Sequence, residues 1–79
     1  MPFFHFLWTP ESQRHIAEHG VTIEEFEEVV SEPRVTGVSR ASGLPLARGE
    51  TSTGKTLICI YEQIDEVTVL PITAFERGM

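Results

Sequence analysis

A chain of 79 residues, 41% hydrophobic and 23% charged, has room for one small globular core and none for a second domain. The formal charge of -6 argues against non-specific nucleic-acid binding by the surface as a whole. A single cysteine, Cys59, excludes an intrachain disulfide and suits a reducing compartment, and no run approaches the roughly 20 apolar residues of a membrane span.

The opening "MPFFHFLWTPE" lacks the basic segment and small-residue cleavage site of a signal peptide, so a cytoplasmic protein without a membrane partner is the expectation. Within it "FFHFLW" alternates Phe4, Phe6 and Trp8 on one face and reads as a strand. "TPE" starts a helix: Thr9 can cap it, Pro10 fits the first helical position, and Glu11 suits the positive helix end. Gly20 ends that helix by taking up a left-handed conformation. A second helix follows, with Thr22 and Glu25 spaced as a capping box and Val21 and Phe26 as the staple around it. Ile23, Phe26, Val29 and Val30 share its apolar face, Glu residues fill the other, and Pro33 stops it. The two helices, joined by a very short link, read as antiparallel neighbours.

Beyond Pro33 the chain turns to strands. "RVTGVSR" and "LPLARGETS" flank the turn-like "ASG"; "TLICIYE", apolar on both faces, reads as a central strand holding Cys59 as a small buried hydrophobe. "EVTVLPIT" follows after "QID", and Pro71 places it at an edge or a bulge. The order β-α-α-β-β-β-β predicts an α+β domain, with two antiparallel helices on one face of a mainly antiparallel sheet.

Charge is unevenly spread along this order. Seven acidic residues lie between Glu11 and Glu32 against Arg14 alone, while Arg34, Arg40, Arg48 and Lys55 stand against Glu50 alone. An acidic helical half therefore meets a locally basic middle, which most simply reads as a solvated helix surface and scattered solubilising bases.

Two strings match known sites, and their settings argue against both. "GETSTGKT" at 49–56 satisfies the P-loop pattern, but that loop needs a strand before it and a helix after it. Here a β-rich run follows Lys55, so the string reads as a hairpin loop with Gly54 at positive φ, and no nucleotide site is expected. "HIAEH" at 15–19 matches an inverted zinc-protease pattern, yet no downstream helix supplies a third ligand. No metal ion or other cofactor is expected. Cys59 sits mid-strand with nothing to activate it as a nucleophile, and the Ser residues occupy turns.

Taken in order, "WTPE", "HIAEHGVTIEEFEEV", "GETSTGKTLICIYE" and "ITA" resemble the BrnT-type toxins, a branch of the RelE/ParE-like superfamily. The match runs over nearly the whole chain through Trp8, His19-Gly20, Thr22 to Val30, Gly49 to Gly54 with Leu57, and Ile72-Thr73-Ala74. The resemblance implies an RNA-cleaving toxin, neutralised by an antitoxin partner that covers its basic sheet. Such enzymes position RNA with cations and stabilise a phosphorane-like transition state as a 2′-hydroxyl attacks.

This sequence departs from that pattern at three places. Glu50 stands where relatives tend to carry a base, Phe75 where they carry Arg, and of the basic C-terminal helix "FERGM" leaves Arg77. Two expectations follow. In the first, His5, Arg40 and Arg48, helped by Tyr61, form a reduced ribonuclease site, and Arg34, Arg40, Arg48 and Lys55 bind RNA. Against it, a His alternating with Phe residues is most often just a strand-face residue. In the second, the fold survives as a protein-binding or regulatory module that uses its acidic helix face and an exposed sheet edge. Acidity and the reduced basic tail favour weak or lost cleavage.

Overall fold

The computed structural model describes residues 4–77. The first strand, β1 (His5–Phe6), is much shorter than the sequence pattern suggests, and the Met1–Phe3 part of that pattern lies outside the described residues. Its alternation holds nevertheless: Phe4, Phe6 and Trp8 pack against the core, while His5 is exposed.

Helix α1 (Pro10–Glu18) is capped by Thr9, whose side chain accepts from the Ser12 N–H while the Ser12 side chain accepts from the Thr9 N–H. This reciprocal pairing satisfies two backbone donors that have no partner inside the helix. The chain leaves α1 through Gly20 at φ 73°, a left-handed conformation that costs a glycine little. Helix α2 (Ile23–Ser31) opens on the expected box, with Thr22 and Glu25 bonded to each other's N–H at 3.1 and 3.0 Å. Phe26, Val29 and Val30 are buried on one side.

The opposite side is not the solvated acidic face that the sequence suggests. Glu25 is buried, Glu27 accepts from the Trp8 indole at 2.9 Å, and Glu28 accepts from Ser52 N–H at 3.1 Å. Three of the acids on this helix are tied to protein donors and so hold elements together.

Strands β2 (Val35–Val38), β3 (Pro45–Glu50), β4 (Thr56–Gln63) and β5 (Thr68–Glu76) complete a sheet ordered β1-β5-β4-β3-β2. Its pairings are antiparallel except for β1 with β5, which is parallel. The domain is therefore α+β, with two helices and a five-stranded, mostly antiparallel sheet. Helix α1 packs along β5 and α2 over β3 and β4. Between helices and sheet lie Ile16, Val21, Phe26, Val29, Val30, Ala47, Leu57, Cys59 and Ala74.

Strand β4 is central, as its apolar character requires, and burial pushes the Cys59 thiol up to about 12, which leaves it unreactive. Pro71 sits at a bulge: Ile60 pairs with Thr73 but Tyr61 pairs with Pro71, so Ile72 is the extra residue. Strand β5 starts later and runs further than the sequence suggests. The Asp65 side chain accepts from the N–H groups of Val67 and Thr68, spending on the turn two donors that would otherwise extend the strand backwards.

Candidate phosphate-binding cleft

Side chains alternate across a sheet, so cross-strand partners share a face. The row Ala47, Cys59 and Ala74 points into the core. The neighbouring row, Val35, Arg48, Ile58 and Phe75, therefore points to the face that carries no helix. Glu50, Thr56 and Arg77 form the next row on that open face, fixed by the Glu50–Thr56 pairing and by Arg77 N–H donating to the Thr56 carbonyl at 2.7 Å. Arg34 stands at the start of β2 beside them, its N–H donating to the Arg48 carbonyl at 2.8 Å.

These residues line a cleft of about 280 Å³ bounded by Arg34, Arg48, Gly49, Glu50, Thr56 and Arg77. Three arginines and one glutamate thus line the cleft of a protein that is acidic as a whole. Arg34 pairs with Glu50 at 3.2 Å, but both side chains are largely exposed, so the pair contributes little to stability. Among the described residues neither Arg48 nor Arg77 pairs with a carboxylate. What the cleft offers is a set of planar, multidentate donors suited to phosphate or carboxylate.

The expected site residues are divided by the fold. Arg34 and Arg48 meet in the cleft, joined by Arg77, which motif reasoning leaves as a remnant. The signal for Arg77 is its place just after the last strand, which needs the β4–β5 register before it can be read. Arg40 lies in the β2–β3 turn, at the far end of β2 from Arg34. His5 lies on β1, three strands from β3, or roughly 14 Å at ordinary strand spacing. It also pairs with Thr68, at the opposite end of β5 from Arg77. Tyr61 packs against the core on the helical face, where burial first and the Cys59 thiol second raise its pKa. His5, Arg40 and Arg48 therefore do not come together as one catalytic group.

Lys55 has a different task. Its Nζ donates to the Gly20 carbonyl at 2.8 Å and to Glu25 Oε1 at 3.2 Å, on the helical side of the sheet. The P-loop-like string is a hairpin: Gly49 and Glu50 end β3, Thr56 starts β4, and Gly54 turns at φ 91°. Its donors do bind an anion, but the anion belongs to the protein. Glu28 takes the Ser52 N–H, and Glu25 takes the Thr53 hydroxyl at 2.8 Å and the Lys55 ammonium. Helix α2 so places two carboxylates where a P-loop would hold phosphate.

The "HIAEH" pair is also resolved by position. His15 faces a groove of about 230 Å³ between α1 and β5, lined by Glu11, Ser12, Leu70 and Pro71 among others, and His19 caps the end of α1. The His19 ring reaches Phe75, with centroids 6.3 Å apart, rather than a metal position shared with His15. Among the described residues no three His, Cys, Asp or Glu side chains are grouped as a metal site needs. No helix among them is long and apolar enough to cross a membrane.

Compared with protein-family models, curated proteins and solved structures, the chain matches none.

Proposed function

We propose that this chain is a BrnT-like domain of the RelE/ParE-like superfamily that contacts RNA through Arg34, Arg48 and Arg77 and cleaves it weakly or not at all. The observation that carries this reading is the cleft itself: three arginines line it on the sheet face left uncovered by helices. Guanidinium forks suit phosphate oxygens, and an open sheet face gives a single strand room to lie.

The same geometry limits catalysis. Transfer of a 2′-hydroxyl onto phosphorus needs a base for that hydroxyl and an acid for the departing 5′-oxygen, each supplying about 10²–10⁴-fold. Among the described residues Glu50 is the one carboxylate lining the cleft, and it is already bonded to Arg34. No His lines the cleft, and Tyr61 lies on the other face. Arginines alone would bind the strand and stabilise charge without moving protons.

A second reading, a protein-binding module, is favoured by another feature of the same face. Leu46, Ile58, Ile60 and Phe75 stand half-buried in adjacent rows with no helix above them, beside the exposed edge strand β2. A partner such as an antitoxin would cover this surface. In this reading RNA is not the ligand.

Incubating total cellular RNA with substoichiometric protein, beside an Arg48→Ala/Arg77→Ala variant, separates the two. The expected result is RNA retained by the parent and not by the variant, with little or no strand scission by either. Rapid scission by the parent alone would mean that proton transfer is supplied by a group assigned here to structure. Absence of RNA binding by the parent would leave the protein-binding module.

A further inference from the structure

We infer that the Arg34–Arg48–Arg77 cleft selects the phosphomonoester end of an RNA over its internal phosphodiesters, because the two cations that remain beside the Arg34–Glu50 pair match a dianion. The inference rests on the proposal that this cleft binds RNA.

The selection comes from charge. Glu50 Oε1 lies 3.2 Å from Arg34 Nη1, so the cleft already holds one anion of its own. A phosphodiester carries one negative charge and, with Arg34 held by Glu50, can balance only one of the two remaining guanidinium groups. A terminal phosphate carries about -1.5 to -2 at neutral pH and presents three acceptor oxygens. It can engage Arg48 and Arg77, neither of which pairs with a carboxylate among the described residues, and leave Arg34 with Glu50. With Glu50 counted, three guanidinium groups balance one carboxylate and one dianion.

The donors support the same choice. The backbone N–H groups of Arg34 and Arg77 are spent on the Arg48 and Thr56 carbonyls, at 2.8 and 2.7 Å. Recognition therefore falls to side chains, chiefly the forks of Arg48 and Arg77 with the Thr56 hydroxyl beside them. Two forks can share three equivalent oxygens of a terminal phosphate, whereas a diester offers two non-bridging oxygens. The cleft, at about 280 Å³, is at the scale of one small ligand rather than of a run of nucleotides.

The test uses one internally labelled oligoribonucleotide in three forms, with a 5′-phosphate, a 3′-phosphate, or hydroxyls at both ends. Fluorescence anisotropy at pH 7.5 measures binding to the parent, to Glu50→Gln and to Arg48→Ala/Arg77→Ala, each checked for folding by circular dichroism. A phosphorylated form is expected to bind the parent about two- to fivefold more tightly than the hydroxyl form, a ratio typical of one added surface charge interaction. Glu50→Gln should strengthen binding of both forms, the phosphorylated one more, and so widen that ratio, and the double variant should abolish it. Displacement by a nucleoside monophosphate at concentrations where inorganic phosphate is ineffective would support an RNA end. Equal displacement by inorganic phosphate would overturn that assignment in favour of a free-phosphate site. Equal affinity for all three forms, weakened alike by the double variant, would overturn the selection while leaving RNA binding standing. No binding of any form would overturn the RNA reading itself.

Discussion

Glu25→Ala lowers the free energy of unfolding by about 2–3 kcal/mol, measured by urea titration, toward the lower range for breaking a buried ion pair because Lys55 keeps some solvent. Three donors converge on this one carboxylate: the Thr22 N–H, the Thr53 hydroxyl and the Lys55 ammonium. The Glu25 side chain is 9% exposed and that of Lys55 32%. Truncation strands these donors and unties the β3–β4 hairpin from α2, leaving the Glu28–Ser52 contacts to hold it.

Acid should reveal the same link. Burial pushes the Glu25 carboxyl upward, but the bonds from Thr22, Thr53 and Lys55 together outweigh it and hold the group below the ordinary glutamate range. A carboxyl with a lowered folded-state pKa contributes stability that is full above its unfolded value and lost as pH falls through the folded one. The stability gap between the parent and Glu25→Gln should therefore be widest near neutral pH and close below the ordinary glutamate range. A gap that stays constant into strong acid would mean that Glu25 acts through its shape and not its charge.

Phe26→Ala is expected to cost about 3–5 kcal/mol, as for other large-to-small changes at full burial. Phe26 has no exposed surface and meets Trp8 and Phe6 edge to face, with ring centroids 5.1 and 6.3 Å away. Those two aromatics bring in β1, which is held to the sheet by only two paired residues. A domain of this size has roughly 5–10 kcal/mol in total, so the change removes about half of it: the urea midpoint should fall by about half, and the near-ultraviolet signal of Trp8, which packs on Phe26, should weaken. A fully folded variant with an unchanged urea midpoint would show that the core closes over the gap.

The elements with local signals are the ones legible in the sequence. Capping residues act within three positions of each other, so Thr9 and Thr22 mark both helix starts, and Gly20 and Gly54 mark the turns that follow. The apolar run of β4 likewise declares its central place. The site is less legible because it is made by register. Arg34, Arg48 and Arg77 are spread over more than half the chain, and they meet because Glu50 pairs with Thr56 and Thr56 with Arg77. Charge counting alone groups Arg40 and Lys55 with Arg48, yet one lies at the opposite end of β2 and the other faces the helices. The acidic face of α2 misleads for a similar reason: a carboxylate that answers a distant hairpin looks, in sequence, like one that answers water.

The salt dependence of RNA affinity tests most directly whether the cleft binds phosphate. Two arginine–phosphate contacts on a single strand, with Arg34 held by Glu50, should give a slope of about -1.4 in log K against log salt, and Arg48→Ala/Arg77→Ala should flatten it toward zero. A parent slope near zero, or the same slope in parent and variant, would contradict the assignment and place the molecule's contacts elsewhere on the open sheet.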